Sequence, residues 1–174
     1  YYLQTQFGTK KELSSGTRDN YALASLTYNF GSSNFISNVR ADSLNESTTL
    51  DTRYLSPKAV GGVNTRATIE KVKSGERAIL DGDYTHSLFK LRGSVQREQD
   101  LEHYSKVYFS METSLVYAGT NFAISRPVTD SFAIFKNNEN LDGQNVLIEP
   151  NSNYNEAETS SIGGGVLPDL RSYH

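Results

Sequence analysis

Residues 125–135, "SRPVTDSFAIF", divide the chain into two parts with different patterns. Before this stretch, polar and apolar residues alternate almost everywhere, and after it Asn, Gly and Pro are frequent and the apolar runs are short. Proline has no N–H to donate and avoids central strands, so a strand ladder must weaken at Pro127. The next residues, 128–131, are typical of a turn. We therefore place the boundary between an extended sheet and an appended module here.

The part before the boundary has the period-two pattern of β-strands, interrupted regularly by Gly, Ser, Asn and Asp. In 103–117, for example, Val107, Phe109 and Met111 share one face, while Lys106 and Glu112 share the other. This pattern predicts an antiparallel meander. Its strands, about eight in number, are expected at 1–9, 19–31, 34–44, 48–55, 59–73, 77–86, 87–98 and 103–117.

The composition excludes some classes of protein but is compatible with a wall of transmembrane β-strands. Of the 174 residues, 36% are hydrophobic, and no apolar run is long enough for a transmembrane helix. A transmembrane strand needs only about 9–11 residues, of which every second one must be apolar. The net charge of −3 offers no basic footprint for nucleic acid. The absence of cysteine excludes disulfides and thiolate metal sites.

Aromatic residues of the apolar face fall at one end of the predicted sheet, next to alternate turns. Such a row is typical of the aromatic girdle that an outer-membrane barrel places at the lipid headgroups. An aromatic-rich rim of a soluble core would look the same. The residues assigned to this lipid-facing girdle are Phe30, Phe35, Tyr54, Tyr84, Phe89 and Tyr117.

Charged residues of both signs fall on the opposite face of the predicted strands. In a large barrel this face lines a wet lumen, whereas in a soluble sandwich it is the solvated side. None of these residues stands out as a reactive centre. The residues assigned to the lumen lining are Arg40, Asp42, Asp51, Arg53, Arg66, Glu70, Asp81, Asp83, Lys90, Arg92 and Glu112.

The part after the boundary is predicted to form a small separate β-domain. Residues 132–135 and 145–149 have the apolar character of two short strands, joined by the polar loop 136–143. Residues 150–161 are polar and are expected to form a loop. We therefore expect two domains, 1–118 and 119–174, in what we interpret as a fragment of a longer protein.

Two phrases of the second part resemble a known family. "SRPVTDSFAIF" at 125–135 and "GVLPDLRSY" at 165–173 are similar, in order and spacing, to the passage from barrel to C-terminal domain in fimbrial outer-membrane ushers. "LPDL" and the Phe-Lys pair at 135–136 are closer to the alternative, CFA/I-type ushers. The residues that match the motif are Asp130, Ser131, Phe132, Leu167, Pro168, Asp169, Leu170 and Tyr173.

The resemblance implies a fold and a function. It implies that 1–118 are the last strands of a large transmembrane β-barrel in the outer membrane of a Gram-negative cell, and that 119–174 begin a periplasmic C-terminal domain. Ushers accept chaperone-bound pilin subunits, polymerise them by donor-strand exchange and secrete the fibre; they need no nucleotide and no cofactor. By the same resemblance we expect the core of the module to contain Phe132, Ile134, Val166, Leu167 and Leu170.

No enzymatic site is predicted. His86, His103 and His174 lack metal-ligand spacing, and no G-x-S-x-G elbow or phosphate-binding loop occurs. We therefore expect no catalytic residue, metal or cofactor. Two other functions fit the alternation: a soluble β-sandwich adhesin or carbohydrate-binding module, and a passive outer-membrane porin. The first predicts that the apolar face is interior, and the second gives no reason for the module after Pro127.

Overall fold

In the computed structural model, which describes residues 1–11, 18–43, 46–99, 104–137, 144–150, 155–159 and 164–170, the regular elements are β-strands. The first eight form one sheet in which each strand pairs with the next along the chain. The predicted all-β class and the meander are confirmed. The strands are β1 Tyr2–Lys11, β2 Arg18–Phe30, β3 Ser33–Asp42, β4 Ser47–Leu55, β5 Gly62–Val72, β6 Gly75–Thr85, β7 Lys90–Gln99 and β8 Tyr104–Glu112.

The register of the antiparallel strands separates two faces. Val39 of β3 lies opposite Leu50 of β4, which lies opposite Ile69 of β5. One residue along, Asn38 lies opposite Asp51. Because successive side chains of a strand point to opposite sides, the two rows occupy different faces of the sheet. We call the face of Val39, Leu50 and Ile69 the apolar face, and the face of Asn38 and Asp51 the polar face.

A two-residue turn fixes the register between β2 and β3. Phe30 pairs with Ser33, so only Gly31 and Ser32 connect the two strands. Gly31 has a φ of 60°, in the left-handed region that favours glycine and that tight hairpin turns require. Since a slip of one residue would move every side chain to the other face, this turn also fixes which residues are apolar-facing.

The connection before β5 is longer than predicted. The strand begins at Gly62 and not at residue 59, because the chain first passes through Gly61, whose φ is 73°. Gly62 lies so close to the Lys58 carbonyl that a Cβ would overlap that oxygen. The Ser56 N–H donates to the Asn64 side-chain oxygen at 2.9 Å, which closes the connection.

The prediction of one strand over 103–117 is wrong, because the chain breaks at Thr113. Its hydroxyl lies 2.8 Å from the Leu88 carbonyl oxygen and 3.1 Å from that of Ser125. After the break, β9 (Ser114–Ala118) turns back through Gly119, which has a φ of 62°, and pairs with β10 (Asn121–Ser125). The period-two pattern continues through Thr113, so the alternation gave no sign of the break.

Four short strands follow the boundary at Pro127. They are β11 Phe132–Phe135, β12 Leu147–Pro150, β13 Asn155–Glu158 and β14 Gly165–Pro168. The first two lie close to the predicted positions, but they do not pair with each other: β11 pairs with β14, and β12 pairs with β13. The prediction that all of 150–161 is a loop is wrong at β13. The predicted loop 136–143 lies outside the described residues from 138 onward.

Strand β14 is buried on both sides. Val166 packs with Val116 and Ala123, and Phe132 and Ile134 lie half-buried against that cluster. Leu167, on the other side of the strand, packs with Ile148 and Ala157 in a second cluster. Of the five residues expected in the core, Leu170 is the exception, because 36% of it is exposed.

Contacts divide the chain into two compact units. The first comprises Tyr1–Ser56, Asn64–Gly82 and Gly93–Tyr108, and the second comprises Pro57–Val63, Asp83–Arg92 and Phe109–His174. The first unit contains β1 to β4 entirely, and the second contains β9 to β14 entirely. The four strands from β5 to β8 contribute residues to both. The division at 118 and 119 stays a prediction.

Candidate functional site: the two faces of the sheet

The charged residues predicted on one side of β3, β4 and β5 lie together on the polar face. Asp51 is opposite Thr68, and Arg53 is opposite Arg66. Residues two apart on a strand share a face, so the register places six of the predicted lining residues on this face. They are Arg40, Asp42, Asp51, Arg53, Arg66 and Glu70.

Asp51 is the centre of a hydrogen-bonded cluster on this face. One carboxylate oxygen accepts from Arg53 Nε at 2.6 Å. The other accepts from Arg66 Nε at 2.6 Å and from the Thr68 hydroxyl at 3.0 Å. The carboxylate thus lies between two arginines that would otherwise face each other directly, and like charges in that position are destabilising. The cluster ties β4 to β5.

The polar residues of β6, β7 and β8 make similar cross-strand contacts. The Ser94 hydroxyl donates to Asp81 at 2.6 Å, and Arg92 lies 3.6 Å from the Glu112 carboxylate. Tyr104 donates to Glu98. By alternation, Asp83 shares a face with Asp81 on β6, and Lys90 shares one with Arg92 on β7. The five predicted lining residues of these strands are Asp81, Asp83, Lys90, Arg92 and Glu112.

The apolar face is exposed along its length. Leu3 and Phe7 of the edge strand β1 are 65% and 77% exposed, and Ile69 is 52% exposed. On β8, the side chains of Val107, Phe109 and Met111 are also exposed. Contiguous apolar surface of this kind is rare on soluble monomers and indicates contact with a membrane or with another protein.

The two faces therefore reverse the usual distribution of polarity. Asp42 and Asp51 are only 7% and 8% exposed, whereas large apolar residues on the other side are mostly open. Buried carboxylates are tolerated when they are paired and hydrogen-bonded, as Asp51 is. The sheet thus places its polar contacts on one side and its unpartnered apolar surface on the other.

One group of aromatic residues lies next to the turn at Gly31. The ring of Phe30 stacks on that of Tyr54 with centroids 5.8 Å apart, and the ring of Tyr28 lies 5.7 Å from Phe30. Phe35 is paired in register with both Tyr28 and Tyr54. Of the predicted girdle, Phe30, Phe35 and Tyr54 are therefore together on the apolar face. Tyr28, whose register partner is Phe35, belongs with them, although the sequence reasoning did not include it.

A second aromatic group lies in the turn between β6 and β7. Tyr84 and Phe89 have ring centroids 6.3 Å apart, and the His86 ring stacks on Phe89 at 4.7 Å. The remaining predicted girdle residue, Tyr117, does not lie at the end of a strand of the eight-stranded sheet. It lies on β9, where it pairs with Phe122 of β10.

The residues of the C-terminal motif meet where β11 pairs with β14. Phe132 is opposite Pro168, so the two phrases of the sequence lie side by side. The Ser131 hydroxyl donates to the Leu170 carbonyl oxygen at 2.7 Å, and the Leu170 N–H donates to the Ser131 carbonyl oxygen at 3.2 Å. Asp130 is exposed, and Tyr173 lies outside the described residues.

Asp169 stabilises the turn after β14. Its φ is 58°, in the left-handed region that Asp tolerates better than most residues. Its carboxylate accepts hydrogen bonds from the Thr129 hydroxyl at 2.7 Å and from the Thr129 N–H at 3.2 Å. The Thr129 hydroxyl, more than any other group, lowers the pKa of this carboxyl. Asp169 is therefore a turn residue that joins the two motif phrases.

Arg126 is partly buried beside the module. Burial lowers the pKa of its guanidinium, and the carboxylates of Glu156 and Asp169 act in the opposite direction. Its Nη1 is buried and has no hydrogen-bond partner among the described residues. Because two carboxylates already act on this cation, its surroundings do not favour an anionic ligand.

The polar groups at the β6–β7 turn do not form a catalytic triad. The Ser87 hydroxyl donates to the Glu158 carboxylate at 3.3 Å and lies 3.4 Å from His86 Nδ1. That same nitrogen accepts the Leu88 N–H at 3.3 Å, so it is held by the turn. A triad needs histidine between the hydroxyl and the carboxylate, and here the hydroxyl is between the other two. The contact fastens β13 to the turn.

Within the described residues, no group of three or more His, Cys, Asp or Glu side chains has an arrangement that could hold a metal ion. The same residues contain no helix that is both long and apolar enough to cross a bilayer. Comparisons with models of protein families, with curated proteins and with solved structures found no match to this chain.

Proposed function

We propose that this chain is a section of an outer-membrane usher: the last strands of a transmembrane barrel and the beginning of the periplasmic C-terminal domain. In this role the apolar face contacts lipid and the polar face lines the pore. Chaperone-bound pilus subunits are received on the periplasmic side, polymerised by donor-strand exchange and secreted. Strand addition to an open sheet edge is the underlying recognition mode.

The observation that carries the proposal is the reversed polarity of the sheet. Asp51 is nearly covered and makes three side-chain hydrogen bonds, while Ile69 and Phe109 are 52% and 69% exposed. A soluble two-sheet module would cover Ile69 and Phe109 with its other sheet. No such sheet covers them among the described residues. A lipid-facing wall needs them uncovered.

A further support is the meeting of the two phrases that resemble ushers. The phrases are similar to those of ushers in order and spacing, and residues 130–132 lie next to 168–170 across the β11–β14 pair. A porin has no need of such an appended module. This juxtaposition favours an assembly platform over a passive channel.

The membrane part of the proposal is tested with neighbouring residues of β5 that face opposite ways. Residues 1–174 contain no cysteine, so Ile69→Cys and Glu70→Cys can each carry one nitroxide label once any cysteine outside this stretch has been replaced by serine. In the full-length protein in lipid vesicles, we expect the label at Ile69 to collide mainly with oxygen and the label at Glu70 mainly with a water-soluble nickel complex. Equal access of the nickel complex to both labels would overturn the lipid-facing assignment.

The assembly part needs a separate measurement. Cells that produce the full-length protein without residues 119–174 should keep it in the outer membrane but display no surface fibres. The full-length protein should co-purify with chaperone–subunit complexes. Normal fibres in the shortened strain would overturn the assigned role in pilus assembly, while leaving the membrane wall intact.

A further inference from the structure

The hairpin of β9 and β10 has an apolar face whose large side chains are exposed, except for the half-buried Ile124. Phe122 is paired in register with Tyr117, and Ile124 with Leu115. Leu115, Tyr117 and Phe122 are 76%, 68% and 57% exposed. We call these four side chains the outer face of the hairpin.

The opposite face of the hairpin is fixed in the module. Val116 and Ala123, paired in register, are 6% and 0% exposed and pack on Val166 of β14. The hairpin therefore cannot rotate to bury its outer face without giving up this core. The exposed position of the outer face is a property of the fold.

The chemistry of the hairpin favours lipid as the covering partner. Residues 113–125 contain no Asp, Glu, Lys or Arg, although 21% of the chain is charged. Protein interfaces usually surround an apolar centre with a polar rim that provides hydrogen bonds and charges. Tyrosine, by contrast, is enriched at the headgroup level of a bilayer, and Tyr117 lies in the aromatic pair beside the uncharged turn.

In the chain, the hairpin comes directly after the exposed apolar row of β8. In that row, Phe109 and Met111 are 69% and 62% exposed. In the proposed function this row of β8 contacts lipid. The hairpin follows it after the single residue Thr113, on the side of the membrane where the module lies.

We propose that the β9–β10 hairpin is an interfacial anchor: its outer face enters the periplasmic leaflet and ties the C-terminal module to the membrane surface. This inference rests on the proposed function, because it takes the exposed row of β8 as the lipid boundary. The anchor restricts how the module moves relative to the membrane surface. Insertion of the apolar side chains excludes water from them and supplies the attraction.

Nitroxide labels test the anchor in the full-length protein in vesicles of phosphatidylethanolamine and phosphatidylglycerol. Phe122→Cys reports the outer face, Met111→Cys the lipid-facing row of β8, and Lys136→Cys an exposed site of the module. We expect the ratio of oxygen to nickel-complex collisions at Phe122 to be several-fold higher than at Lys136 and close to that at Met111.

The outcomes separate the two proposals. A label at Phe122 that is as wet as the one at Lys136, with Met111 still in lipid, would overturn the anchor and keep the membrane wall. Low access of both reagents at Phe122 would mean that protein covers the hairpin, and would also overturn it. Water access at both Met111 and Phe122 would overturn the proposed function itself.

Discussion

At the residue scale, Asp51 decides whether two arginines can share the polar face. Arg53 and Arg66 are direct cross-strand neighbours, and each donates to a different oxygen of Asp51. The arginine side chains are 43% and 49% exposed, so water screens part of their repulsion. The carboxylate is much more covered, at 11%. Replacing Asp51 by Asn therefore leaves two partly screened cations next to a covered, uncharged amide.

We expect Asp51→Asn to destabilise the folded protein by about 2 kcal/mol, between the values for exposed and for buried ion pairs. Urea-induced unfolding of the chain in detergent micelles measures the change. The double variant Asp51→Asn/Arg66→Gln, which removes one of the two facing charges, should recover part of the loss. If the double variant is less stable than Asp51→Asn, repulsion between the arginines is not the cause.

The Tyr21 ring occupies the space in which a side chain at position 8 would lie, and Gly8 leaves that space free. The two residues are paired in register between β1 and β2, and a Cβ at Gly8 would overlap the phenol ring. We expect Gly8→Ala to cost about 1 kcal/mol, the low end of the range for overpacking, because the overlapped atoms are the end of the Tyr21 ring, which can move in part. The control is Gly82→Ala, whose Cβ would meet its nearest atom, Asn64 O, at an ordinary 3.7 Å. In a Tyr21→Ala background Gly8→Ala should cost little, and an undiminished cost there would contradict this explanation.

The Asp169 turn gives a pH dependence of known sign. The folded-state pKa of its carboxyl is lowered, first by the Thr129 hydroxyl, so ionisation stabilises the folded module. This contribution is complete above the unfolded-state pKa and is lost as the pH falls through the folded-state pKa. Thr129→Val should raise the Asp169 pKa, whereas Thr129→Ser should preserve it, as measured by NMR titration of the carboxyl carbon. An unchanged midpoint in Thr129→Val would contradict the assignment.

At the element scale, a strand can be predicted from the sequence when its own side chains alternate between polar and apolar. Strands such as β3 alternate clearly, and their positions follow from residues such as Val39 and Arg40. Strand β13, "NEAE", has no aromatic or β-branched residue and is held by pairing with β12 and by the burial of Ala157. The break at Thr113 depends on contacts with Leu88 and Ser125, which are distant in sequence.

The same limit applies to the polar cluster. Alternation alone places Asp51 and Arg53 on one side of their strand and Arg66 on one side of its own. Which of these residues are neighbours depends on the register across the connection between β4 and β5. That connection ends at Gly61, which has a positive φ, and has no simple sequence signature. The polar face was therefore predictable, whereas the position of Asp51 between two arginines was not.

Strand β14 links two separate clusters, which predicts two separable effects. Leu167→Ala removes part of the cluster with Ile148 and Ala157, and we expect a cost of about 2–4 kcal/mol. Val166→Ala should affect the cluster with Val116 and Ala123. Hydrogen–deuterium exchange should rise mainly in β12 and β13 for the first variant and in β9 and β10 for the second. If both variants raise exchange in the same strands, the two clusters act as one core.

At the scale of the whole molecule, the sheet has open edges and an open face. Among the described strands, β1 and β8 each have one neighbour in the sheet, and an unpaired edge is a template for pairing with other chains. Edge strand β1 also carries the exposed Leu3 and Phe7 on the apolar face. Both features favour self-association in water. They can be distinguished because pairing at an open edge depends on the backbone, whereas association through the apolar face depends on the side chains of that face.

We expect residues 1–174 to self-associate in plain buffer and to form smaller species in detergent, which covers the apolar face. Light scattering after size-exclusion chromatography measures this. The double variant Leu3→Lys/Phe7→Lys should reduce association strongly, because it charges the apolar face. The matched double variant Gln4→Lys/Gln6→Lys adds the same charge to the polar face of the same strand and should reduce it less. Equal effects would mean that edge pairing dominates, and a soluble monomer that unfolds cooperatively would contradict the lipid-facing wall.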